Sequence, residues 1–262
     1  MHSYYQLWKS FFNNSLTRDM EFKANFLGGL LIDFIYYGIH FFFFSIIYSF
    51  VDSLGVFSRH DVIIFLVITF LADTVYMFFF AGNLFNLNRW MVRGDLDFFL
   101  LKPVNSQFMV SFRYTKSYAL MSIFILTALL GYLVYSHPLE IYFINWVTFV
   151  FSFFLGIIIW YGVDFIISSS CFWFRNFSVA GWLSHEILKF SMRPDTIYTG
   201  LLRKTLFSIV PMAMIASVPA RILLYGPEIT YLSGQIIIAL FFFFMTKLIW
   251  KKGLIRYESA SS

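Results

Sequence analysis

Long apolar runs alternate with short polar breaks along the chain, and the runs have the length of membrane-crossing helices. A helix needs about 20 predominantly apolar residues to cross the hydrocarbon core. Residues 26–50, 62–82, 118–135, 141–167 and 231–250 meet that length or come close to it. Residues 206–224 are long enough but contain Pro211 and Pro219, which predicts a kinked or broken helix there. The runs are continuous and lack the two-residue alternation of barrel strands. The pattern therefore predicts an all-α polytopic membrane protein, with six transmembrane helices in one domain over 26–262. In residues 1–25, Tyr5, Trp8, Phe12 and Leu16 recur at helical spacing, as in an amphipathic helix lying in the membrane interface. Lys9, Arg18 and Lys23 in that leader, and the length of the run after it, predict that it is not a cleaved signal.

Composition supports this class and excludes others. Apolar residues make up 60% of the 262, with 37 Phe, and charged residues only 13%, against about 25% in soluble domains. A soluble fold of this size buries only about 75% of its chain surface. An ordinary cytosolic enzyme, a disordered chain and a disulfide-stapled domain are excluded, and Cys171 has no second cysteine to pair with. The net charge of +5 is scattered, with at most two basic residues adjacent. It lacks the dense patch of a nucleic-acid binder. Seventeen of the 19 Lys and Arg fall on one side of a six-span arrangement. By the positive-inside rule both termini are then cytoplasmic. Residues 172–204 fit two arrangements. They form a cytoplasmic segment before a span at 206–224, or 176–192 is a polar span and 206–224 re-enters from outside. Counting basic residues favours the first.

Three acids, Asp33, Asp73 and Asp164, fall inside predicted spans, where each costs roughly 2.5–3.5 kcal/mol at mid-bilayer. They are expected to face the bundle interior or a wet cavity. Asp33, Tyr37 and His40 follow at i, i+4 and i+7 and form one polar stripe. These five residues are candidates for a substrate path or a proton relay, with Asp73 the deepest. The simpler alternative is structural pairing across helices. The five His residues lack metal-ligand spacing, and no catalytic triad or paired-carboxylate site is arranged, so neither a metal site nor enzymatic chemistry is expected.

The loop 83–112 between the second and third spans carries the sequence Trp90-Met91-Val92-Arg93-Gly94-Asp95-Leu96-Asp97-Phe98-Phe99-Leu100-Leu101-Lys102-Pro103. It predicts a short helix with Asp95 as N-cap, Leu96, Phe99 and Leu100 on one face, and Pro103 as the stop. Such a face suits either a partner's groove or burial against the bundle.

This run resembles a signature of ABC-2-type transporter permeases, in the subgroup of this length without a fused nucleotide-binding domain. Two further segments agree. One runs from Phe172-Trp173 through Phe190-Ser191, Pro194, Ile197-Tyr198, Leu202-Arg203 and Ile209-Val210-Pro211 to Pro219-Ala220; the other is Gly253-Leu254-Ile255-Arg256-Tyr257-Glu258-Ser259-Ala260-Ser261. The resemblance implies an exporter of a hydrophobic or amphipathic substrate in the plasma membrane. A second permease chain, identical or similar, pairs with it, and two ABC ATPase subunits bind beneath. Trp90, Arg93, Gly94, Asp95, Leu96, Asp97, Phe99, Leu100, Leu101 and Pro103 would form the coupling site for those ATPases. ATP and Mg would sit on the ATPase chains, since this chain has no Gly-x-x-x-x-Gly-Lys-Ser/Thr stretch. The competing reading is an ATP-independent transporter or channel that uses the intramembrane Asp residues.

Overall fold

The computed structural model describes residues 4–138, 140–174, 177 and 179–257. Asn176 and the Glu258–Ser261 part of the C-terminal motif lie outside them. The leader is α1 (Tyr4–Glu21), followed by α2 (Lys23–Ile47). A two-stranded hairpin, β1 (Ser53–Leu54) and β2 (Phe57–Ser58), leads into α3 (Arg59–Tyr76). α3 runs on through a π-helical turn (Met77–Ala81) into α4 (Gly82–Leu84). The loop region holds α5 (Leu87–Arg93), α6 (Asp95–Leu100) and α7 (Ser106–Phe112). Then come α8 (Ala119–Tyr135), α9 (Phe143–Ser169), α10 (Ala180–Leu188), α11 (Gly200–Phe207), α12 (Ala213–Tyr225) and α13 (Ile229–Arg256).

α2, α9, α13 and the continuous helix 59–93 are each long and apolar enough to cross a membrane. α8, with 17 residues, is about 25 Å long and falls slightly short of the core thickness. α3 is the enclosed central helix, and α2 and α13 leave most of their apolar surface open. Leu31, Phe34, Ile35, Phe42 on α2 and Leu240, Phe241, Phe244 on α13 are exposed. In water that would be unstable; in hydrocarbon it costs nothing.

The start of α3 is fixed by a reciprocal cap. Ser58 Oγ accepts from the Asp61 N–H and the Asp61 carboxylate accepts from the Ser58 N–H. Asp61 also binds His137 Nε2 at 2.8 Å and the Tyr225 hydroxyl at 2.9 Å. The hairpin, the end of α8 and the end of α12 therefore meet at one end of the bundle, called here the hairpin end. The opposite, loop end carries α4 to α7.

Residues 172–225 are laid out along the length of the bundle. Gly181 packs against Phe85 at the loop end, and Ser184 donates to Asp164 at 2.7 Å. The Tyr36 hydroxyl reaches Met192 at 3.0 Å, and Thr196 donates to the Leu54 carbonyl at 2.8 Å. The chain from α10 to Thr196 thus runs the length of the bundle, from the loop end to the hairpin end. Its course along the bundle corresponds to the second of the two arrangements read from the sequence. Its irregular backbone after α10 is enclosed by protein, with Ser191, Met192 and Asp195 buried, as membrane depth requires. α11 and α12 together cover residues 200–225 with a break at 208–212. They are a broken pair around Pro211, and α12 returns to the hairpin end, where the Tyr225 hydroxyl also donates to the Val56 carbonyl.

Asp195 changes what the charges in this segment stand for. It is fully buried, and its carboxylate accepts from Arg203 at 2.7 Å and from Arg221 at 2.8 Å, each arginine also donating through Nε. Its own N–H donates to Ser217 Oγ. Two basic residues that read as topological markers share one acid, which offsets one of their two charges. Such forked pairs are the strongest neutralisation available to a guanidinium. Removing Asp195 would strand both, at a cost of about 3–5 kcal/mol for fully buried partners, and less here because the Arg203 side chain is 40% exposed.

A topology experiment follows. With Cys171 replaced by alanine, single cysteines at Val56, Leu201 and Leu101, all exposed, are tested with a membrane-impermeant thiol reagent in sealed vesicles. Leu201 is expected to label from the same side as Val56 and from the side opposite Leu101. Labelling of Leu201 together with Leu101 would contradict the fold.

Candidate functional site

The three intramembrane acids come together. A cavity of about 390 Å³ opens between α2, α3, α9 and α10, and Asp33, Asp73 and Asp164 all line it. That volume is in the range of small-molecule sites, about 300–1,000 Å³. Tyr36, Tyr76, Trp160 and Met77 supply the apolar and aromatic wall, and Ser184 and His185 close it from α10. α3 turns π-helical immediately after Tyr76. Single π turns inside helices are often found at functional sites.

The acids differ in how they are held. Asp164 is buried and accepts from the Tyr76 hydroxyl, from Ser184 at 2.7 Å and from Ser168 at 3.3 Å. Its lone pairs are supplied by the fold, so it ties α3, α9 and α10 together. Among the described residues Asp73 has only the Tyr37 hydroxyl at 3.5 Å, and Asp33 only Ser122 at 3.4 Å. Neither makes an ion pair within 4 Å among the described residues. These two therefore keep acceptor capacity for a ligand. Tyr37 does not line the cavity; it braces Asp73 and bonds Thr74 at 2.8 Å. His40 is also set back, bonded to the Tyr36 carbonyl at 2.9 Å. The expected stripe thus splits into one lining acid and two supports. No motif or spacing in the sequence marks the lining residues of α10.

The loop site is two-sided. Gly94 sits at φ 76° between α5 and α6, a left-handed conformation that favours glycine. Gly94, not Asp95, occupies the cap position of α6, and no side chain caps it. Asp95 and Asp97 lie in the first turn, where negative charge favours the helix. Leu96 and Phe99 are buried, and Phe99 meets Trp90 edge-on at 5.0 Å. The face read as suited to a groove is therefore covered by this chain itself, with Leu100 partly buried beside it. The exposed apolar residues are Val92, Phe98 and Leu101, flanked by Arg93, Lys102 and Pro103.

What covers Leu96 and Phe99 joins the three motifs. They share a cluster with Trp90, Phe165, Cys171, Phe172 and Trp250, and with Leu254 and Tyr257 packed against it. A Cβ on Gly253 would lie 2.4 Å from the Phe172 ring, so only glycine lets α13 approach there. The Phe172 ring meets Trp250 and Tyr257 edge-on. Burial and the neighbouring Asp97 push the Tyr257 hydroxyl up to about 12, so it stays protonated and can donate to that carboxylate. The leader joins in: Trp8 stacks on Phe12, both rings rest on the end of the α3 helix at Phe78, and Leu7 and Phe11 pack against the cluster. Among the described residues no group of three His, Cys, Asp or Glu is placed to hold a metal ion.

A family model described as ABC-2 family transporter protein matches residues 34–261. No curated protein and no solved structure matches the chain. The match spans the cavity helices, the two-sided loop and the C-terminal motif alike. The chain belongs to the ABC-2 family of transporter proteins, as a multi-pass membrane permease of the kind that works with ABC ATPase subunits.

Proposed function

We propose that this chain is the membrane subunit of an ATP-driven exporter in the plasma membrane. In this reading the loop end and both termini face the cytoplasm. A second permease chain pairs with it, and the ATPases dock on Val92, Phe98 and Leu101. The observation that carries the proposal is the two-sided loop. One face of α6 is fastened to the ends of α9 and α13 through Leu96, Phe99, Phe172 and Trp250, and the other is open. A coupling element needs both faces: an open one to take the ATPase's movement and a fastened one to pass it on. A helix-in-groove contact of this kind is anchored by a few exposed apolar side chains. An ATP-independent transporter would have no use for such a loop.

The substrate in this reading enters the cavity beside Asp33 and Asp73. An apolar, aromatic wall with two available carboxylates suits a hydrophobic or amphipathic molecule, its polar or cationic part toward the acids. Asp164 serves as a brace in this scheme and does not contact the substrate.

Two experiments test it. The double variant F98E/L101E is expected to insert and fold as wild type, because both side chains are exposed. It should bind its ATPase about tenfold or more weakly, read as ATPase stimulation in proteoliposomes. Unchanged stimulation would remove the docking assignment. L96K is expected to fail differently, by loss of folded protein, since it puts a charge into the cluster. For the cavity, D73N is expected to lower substrate transport by about tenfold, the loss of one charge-assisted contact, while dimer and ATPase assembly persist. Lost assembly with normal residual transport per complex would make Asp73 structural.

A further inference from the structure

A second pocket, outside the cavity, has the opposite charge. It lies at the loop end between α1, α5 and the strap 113–118 that leads into α8, with a volume of about 340 Å³. Arg18, Arg89, Arg93 and Lys116 line it against a single acid, Asp95. Arg18 is partly offset by Asp19 at 2.9 Å. Lys116 is half-buried and makes no ion pair within 4 Å among the described residues; Asp73 and Asp33 act on it only from further off. Trp90 and Tyr114 stand beside these basic groups in the lining, and Thr115 backs them with its hydroxyl closed off from solvent.

The walls are held in place before any ligand arrives. Ser15 Oγ accepts from the Thr115 N–H at 3.2 Å, and Asp19 accepts from both the N–H and the hydroxyl of Ser117. Arg18 donates to the Thr115 carbonyl and lies over the Tyr114 ring. Asn83 bonds Tyr114 through its backbone N–H and its carbonyl. The leader, the strap and the end of α3 are thus one rigid rim around the basic residues.

We propose that this pocket binds the phosphate of a lipid with a net negative headgroup. Guanidinium and ammonium groups converging on one pocket are the donor set a phosphate requires. The depth selects a lipid over a soluble anion. α1 carries Trp8 and Phe12 on its bundle face, and α8 begins at Ala119, three residues past Lys116. The pocket therefore sits where a helix read as interfacial meets the start of an apolar one. A phosphatidylcholine headgroup carries its own quaternary ammonium, which four basic neighbours repel. The inference rests on the chain spanning a membrane and does not require the ATPase docking proposed above. Its consequence for that reading is that an anionic lipid would brace α1 against α5, next to the coupling loop.

The test uses the purified full-length chain in a neutral detergent. Its thermal unfolding midpoint is followed against rising dihexanoylphosphatidylglycerol, dihexanoylphosphatidylcholine or inorganic phosphate. The phosphatidylglycerol is expected to raise the midpoint saturably, as a ligand of the folded state does, and the phosphatidylcholine is not. K116Q and R89Q are each expected to move the half-saturating concentration up by about tenfold. Arg89 is exposed, so R89Q carries the test if K116Q does not fold. An equal response in both variants and the wild type, or an equal response to phosphatidylcholine, would overturn the proposal. If inorganic phosphate alone gives the same variant-sensitive shift, the phosphate site stands and a soluble phosphate replaces the lipid as its source. Because the readout is lipid-dependent stability, a failure here leaves ATPase docking untouched, and a failure of docking leaves this result untouched.

Discussion

Phe172 occupies the space that any side chain at position 253 would need, and the organisation of the loop end follows from that contact. It lets α13 lie close enough for Trp250 and Tyr257 to flank the ring, and it places the ends of α9 and α13 under Leu96 and Phe99. The cluster is apolar and closely packed, so it transmits displacement and does not absorb it. Without it α6 would be a tethered surface helix. With it, one face of α6 is joined through a shared apolar cluster to the ends of two long apolar helices.

The opposite end is governed by charge. Asp195 collects Arg203 and Arg221 where α11 and α12 return toward the hairpin, and Asp61 collects Ser58, His137 and Tyr225 beside them. Deeper in the bundle Gln235 plays the same part without charge, bonding Ser152 and the Met214 carbonyl from a fully buried position. The cavity lies between these two fastened ends. Its four helices include α10, a nine-residue helix continued by irregular chain. That is the least regular wall of the cavity, and it carries Ser184 onto Asp164.

Much of this was legible in the sequence. The apolar runs located α2, α3, α8, α9 and α13 within a few residues, because a helix in hydrocarbon must be apolar over its full length. The spacing of Tyr5, Trp8 and Phe12 located α1. The three Asp residues were legible as bundle-facing because their cost in lipid leaves no other place. The segment 172–225 was legible only as two alternatives. Arg203 and Arg221 read as free charges until Asp195 is seen between them, and that pairing joins positions far apart in the chain. Amphipathic spacing placed Leu96, Phe99 and Leu100 on one face but could not name what covers it, since Phe172 and Trp250 come from other helices. The basic pocket draws on residues 18, 82–95 and 114–116, and no local pattern links them.

The central claim is that α6 and the end of α13 move as one body. Spin labels at Leu101 and Ile255, both largely exposed, report this directly in the assembled transporter, with Cys171 replaced. The interspin distance is expected to stay the same, within the width of its distribution, between the nucleotide-free and ATP-bound states. A shift of several ångströms between those states would show α6 hinging on its own, about one helical turn or 5.4 Å being the scale of an independent step, and would contradict the account.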